Sequence, residues 1–244
     1  MNDRQRESTR SSHYMQGFYP GILEMGLNDL RSLRSLVTRL PEFLSEDQSK
    51  FQRQLEKRVN DEQLDEEQEQ SLYDYHEDKF HELHTFFPNA VWISQLTLAC
   101  SLFEARLVEA CKYLGNGQIE LQKPWKSIQK NIPTLVKIEI FLQKNFSICP
   151  KRHMSWGVID DFFKVRNSFV HANGEVDLTT NQKNSLECAT RLIHAGAGIT
   201  LSNTRTLQLE AKSITVVVDE METWLKAFRV ASMNDAVIGP KFWP

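Results

Sequence analysis

The stretch KVRNSFVHANGEV, residues 164–176, gathers three side chains that could act together on a phosphate. Arg166 carries a planar fork of N–H donors that matches phosphate oxygens in pairs. Asn167 follows it directly, with an amide that both donates and accepts. His171 stands five places after the arginine, and an imidazole exchanges protons near neutrality. The same residues also fit the polar end of an ordinary helix. On that reading Arg166 pairs with a carboxylate, His171 caps carbonyls, and Asn173-Gly174 is a common helix stop.

Placed on a helix at 100° per residue, the stretch divides into faces. Phe162, Val165 and Phe169 cluster on one side, with Arg166 beside Phe162 and Phe169. Lys164, Asn167 and His171 form a second, polar row. Arg166 therefore leaves the helix at its apolar edge, where a guanidinium needs an anionic partner. The candidates are a buried carboxylate such as Glu104, or a phosphate. His171 falls in the last turn, at the negative end of the helix dipole, which favours imidazolium.

The elements that must hold this helix read as mostly helical. Leu23, Leu27, Leu30, Leu33, Leu36, Val37 and Leu40 recur at helical spacing, and Pro41 is expected to end that helix. Ser45 with Gln48 resembles a capping box for the next one, which thins out near Asp61. A further helical pattern through Leu72, Tyr75, Phe80 and Leu83 is expected to end at Phe87-Pro88. The strongest helix spans residues 91–114, with Trp92, Leu96, Ala99, Phe103, Leu107 and Ala110 in one stripe, stopped by Gly115 and Gly117. Pro124 and Pro133 open short helices. The motif helix covers 156–171, with Asp160 and Asp161 placed to favour the N-terminal dipole. Residues 182–197 and 215–229 are helical, and 199–209 alternate in the manner of a small β-hairpin around Asn203. The sum is an all-α helical bundle with extra N-terminal helices and one small hairpin. Its organisation reads as a mobile tail over 1–20, an acidic helical extension over 21–88, and the bundle over 89–244.

Among 244 residues, 29 Lys and Arg face 32 Asp and Glu, a net charge of −3, so the chain is no polycation. The charge is uneven. Residues 42–82 are acidic, whereas 123–152 hold Lys123, Lys126, Lys130, Lys137, Lys144, Lys151 and Arg152, with Glu139 the one acid. Such a split suits one end to meeting an anion, although lysines also simply solvate helix faces. The cysteines Cys100, Cys111, Cys149 and Cys188 form no C-x-x-C pair, which leaves zinc-knuckle and redox motifs unsupported. Glu77, His81 and His84 share a helix face and are the one weak metal constellation. The first residues lack an apolar signal region, and residues 91–114 are too polar to span a membrane comfortably. A cytoplasmic protein without cofactor is the expectation.

R-N-S-F-V-H at a helix end, followed by Asn-Gly, resembles the R-x(4–6)-H signature of the HEPN superfamily, with Asn167 in its polar slot. The apolar helix WISQLTLACSLFEARLVEACKYLG, with Glu104 mid-helix, is similar to that family's central helix. The late helix with Trp224 and Phe228 is similar to its closing helix. The resemblance covers roughly residues 89–232. It implies a bundle that dimerises with the two motifs facing each other. It also implies metal-independent endoribonuclease activity of the kind found in toxin–antitoxin, defence and plasmid-maintenance systems, with RNA and an antitoxin protein as partners. Other members bind without cutting. By this resemblance Arg166, Asn167 and His171 are the catalytic residues and Glu104 supports them. Lys164, Lys151, Arg152 and Trp156, with Trp125, are candidates to guide or stack an RNA strand.

Overall fold

The computed structural model describes residues 3–116, 123–129, 131–176 and 183–235. Lys130, Gly117 and Gln182 lie outside them. Helix α1 runs Asp3–Glu62, α2 Glu66–Tyr75 and α3 Glu77–His81. A π-helical turn, Glu82–Phe86, leads into α4, Phe87–Asn116. Helices α5 (Thr134–Phe146), α6 (Met154–Ala172) and α7 (Lys183–His194) follow. The strands β1 (Ile199–Leu201) and β2 (Leu207–Leu209) precede the last helix, α8 (Ala211–Asp235). The chain is an all-α bundle with one two-stranded antiparallel hairpin, as expected.

Two prolines behave differently from expectation. Pro41 does not end its helix; α1 continues through it to Glu62. A proline removes one helical hydrogen bond, but Val37, Leu40 and Leu44 on either side pack on the core and hold the register. Ser45 therefore caps nothing. Its hydroxyl donates back to the Glu42 carbonyl, and Gln48 donates across to Leu83 O. The capping box that does form is Asp65 with Gln68, at the start of α2. The break falls at Gln63, whose φ is +52°. Pro88 likewise ends nothing. The turn before it is π-helical, with the Phe87 N–H donating to Glu82 O, and the wider turn carries the helix on into α4. That turn also breaks the helical spacing that put His81 and His84 on one face with Glu77. Among the described residues no three His, Cys, Asp or Glu side chains gather to hold a metal.

The long helical run Glu77–Leu114 has the length and apolarity to cross a membrane by composition alone. In the bundle its stripe is taken by other helices. Trp92, Leu96, Ala99, Phe103, Leu107 and Ala110 are buried with Leu23, Leu27 and Leu30 of α1 and with Trp224, Leu225 and Phe228 of α8. Residues 22–37 of α1 are thus part of the core. Polar clamps fix the three helices. Arg106 Nε donates to Asp29 Oδ2 at 2.8 Å, Arg229 reaches Glu24 at 2.6 Å, and Arg34 reaches Asp219 and the buried Glu222.

The end of α6 is set by a left-handed turn and then tied down. Asn173 has φ +50° and Gly174 +80°, and the Gly174 N–H closes back to Ser168 O. The chain leaving the turn pairs with the hairpin. Glu175 bridges Thr206, the Val176 N–H donates to Arg205 O, and the Leu207 N–H donates to Gly174 O. A Cβ on Gly174 would come within 2.6 Å of the Phe169 ring. Gly174→Ala should therefore lower stability by about 1–3 kcal/mol in denaturant unfolding, while Asn173→Gly stays within about 0.5 kcal/mol. Equal, small effects at both positions would show that the turn is not strained as described.

Candidate functional site

Helix α6 divides into faces as its sequence spacing requires. Phe162, Val165 and Phe169 are buried, and Asn167 and His171 are exposed. Arg166 lies between, with 19% of its side chain exposed. Its guanidinium reaches α4, where Nη2 stands 3.7 Å from Glu104 Oε2. That distance is an ion pair but not a hydrogen bond. The guanidinium also lies 5.6 Å from the Phe163 ring centroid, and its Nε–H is buried with no acceptor.

One turn before Glu104, Cys100 completes the cradle. It is fully buried, and burial pushes its thiol up to about 12, with the nearby Arg166 pulling the other way. Cys100 was not singled out by sequence, although its i, i+4 relation to Glu104 puts the two on one face of α4. The ordinary pairing of Arg166 with Glu104 is thus present, but it leaves most of the guanidinium's five donors unspent. The ordinary role for His171 is not seen. Neither His171 nor Asn167 makes a side-chain hydrogen bond among the described residues, so Asn167 does not orient His171. Beside them Val170 is 52% exposed.

The acids on α6 serve packing. Met154, not Trp156, begins the helix, so Asp160 and Asp161 lie in its second turn, away from the N-terminal dipole. Asp161 is buried and takes Arg191 of α7 in a two-point grip, Nε–Oδ2 at 2.8 Å and Nη2–Oδ1 at 2.5 Å. The same pairing raises the Arg191 guanidinium above its usual range. Asp160 holds Lys164 at 2.7 Å, so Lys164 is already partnered and only half-exposed.

Of the expected RNA-guiding residues, Lys164 lies on the motif helix, and Lys151, Arg152, Trp156 and Trp125 are not brought to the motif. Trp156 is 1% exposed and donates from Nε1 to Glu139 Oε1 at 2.7 Å; it is a core residue, not a stacking platform. Its position on the helix turns it inward against Phe103 and Trp224. Lys151 pairs with the other oxygen of Glu139 at 2.9 Å, a bond that raises its pKa. Arg152 is exposed, next to Lys151. Both precede α6, roughly 25 Å of helix away from His171. Trp125 is half-exposed, with the Lys137 ammonium 4.5 Å from its ring centroid. A cleft of about 450 Å³ between α1, the π turn and the hairpin holds none of the predicted site residues.

No family model matches the chain, and comparison with curated proteins and with solved structures gives no match. The chemistry of the site therefore stands on its own residues. One part is checked by thiol labelling. Near pH 8, an aromatic disulfide reagent should reach the half-exposed Cys149 in the folded protein, and Cys100, Cys111 and Cys188 only after unfolding. Rapid labelling of Cys100 in the native state would show that its cradle is open to solvent.

Proposed function

We propose that the protein is a metal-independent endoribonuclease of HEPN type, acting in the cytoplasm as a toxin or defence effector. The observation that carries this reading is the end of α6. There Asn167 and His171 are exposed and uncommitted among the described residues, next to an arginine whose buried Nε–H lacks an acceptor. Water satisfies the exposed Asn167 and His171 and leaves both open to a ligand, while the buried Nε–H finds no partner in the fold.

The reaction follows from the groups present. His171 accepts the proton of an RNA 2′-hydroxyl, and the oxygen attacks the adjacent phosphorus. The bond from phosphorus to the 5′-oxygen breaks, and that oxygen takes a proton from an imidazolium. The products are a 2′,3′-cyclic phosphate and a 5′-hydroxyl. Arg166 holds the phosphate and offsets the charge that grows on its oxygens. Asn167 donates to the same group. One chain supplies one motif histidine, so a two-fold dimer with facing motifs provides both the base and the acid. In toxin systems of this type an antitoxin protein would cover the motif.

Cleavage of RNA in excess EDTA, wild type beside His171→Ala, tests the reading. The variant should lose about 10²–10⁴-fold in rate, and wild-type product ends should carry the cyclic phosphate. A folded dimer that cuts no RNA would overturn the nuclease reading in favour of a module that binds without cutting.

A further inference from the structure

Glu104 presents an oddity for a phosphate site. A carboxylate stands beside the one cation meant to hold an anion, yet it is too far to hydrogen-bond that cation well. The pair is 3.7 Å apart and partly shielded from water, with 19% and 28% of the two side chains exposed. The Phe163 ring and the buried Cys100 thiol also neighbour the guanidinium, and neither carries charge in its ordinary state. Among the described residues no other carboxylate pairs with Arg166.

Resting on the phosphate-binding role given to Arg166 above, we infer that Glu104 is a resident counter-ion. It keeps Arg166 aligned in the empty site, and an incoming phosphodiester displaces it, so its charge sets how weakly the site holds anions. The long contact fits this role. A close, two-point pair such as Asp161 with Arg191 fixes a fold and does not yield, whereas a single loose contact yields to a better ligand. The terminal amino groups, of which Glu104 meets one at long range, give that ligand its donors. A site of this kind binds phosphate groups weakly and releases products readily.

The test uses the full chain and two probes that are not cut: inorganic phosphate, and a short single-stranded DNA without 2′-hydroxyls. Binding is measured by calorimetry and fluorescence anisotropy. Glu104→Gln removes the charge while keeping the shape, and should tighten both probes roughly three- to tenfold. Glu104→Asp keeps the charge and should stay near wild type. With Arg166→Ala in the background, Glu104→Gln should change nothing. Glu187→Gln, an exposed acid on α7, controls for net charge and should have little effect. Unchanged or weaker binding by a folded Glu104→Gln would overturn the inference. So would an equal gain in the Arg166→Ala background or from Glu187→Gln. These readouts do not require cleavage, so they fail or succeed separately from the nuclease reading.

Discussion

A helix with one unbroken apolar stripe must have that stripe covered, and α4 is that helix; its opposite face, with Ser94, Leu98, Ser101 and Glu109, stays open. Its stripe from Trp92 to Cys111 sits among α1, α8 and α6, and the other elements take their places by covering it. Residues 22–37 of α1 and residues 214–228 of α8 close one side, locked by Arg106 to Asp29 and Arg229 to Glu24. The rings of Phe103, Trp156, Trp224 and Phe228 fill the space between, with the two indole centroids 4.9 Å apart. Interiors packed this tightly transmit position accurately, so a residue on α6 is placed by α4 nearly as firmly as by its own helix.

That placement makes the site a boundary feature. Arg166 sits where the covered face of α6 meets its open face, and Glu104 sits at the matching edge of α4. Inside this line are Phe163 and Cys100; outside it are Asn167, Val170 and His171. A charged group on such a line keeps part of its hydration while being held by packing. The Asp161–Arg191 pair supports the arrangement from the far side, by fixing α7 against α6.

Much of this is legible in the sequence, for physical reasons. Period 3.6 in the apolar residues gives the helices, and Asn-Gly gives the end of α6. The two faces of the motif helix follow from spacing, whereas Glu104 is only one of the anionic partners the sequence offers for Arg166. The prolines mislead, because Pro41 and Pro88 read as stops where tertiary packing and a π turn carry the helix through. Trp156 misleads as well. An indole near basic residues reads as a stacking surface, but its face is decided by where α6 begins, and that start at Met154 is fixed by His153, whose ring accepts the Ser155 N–H. The bridge from Glu175 to Thr206 is invisible in sequence because it joins distant segments of the chain.

That bridge bears on when the site comes into being. The turn that ends α6 is held by the Leu207 N–H and the Arg205 carbonyl, which follow it by a whole helix and a strand. During synthesis from the N-terminus, the motif emerges well before the strand that secures it. Closing so long a loop costs chain entropy that local helix formation does not. The finished geometry at His171 therefore forms only after the hairpin strand that secures it has been made.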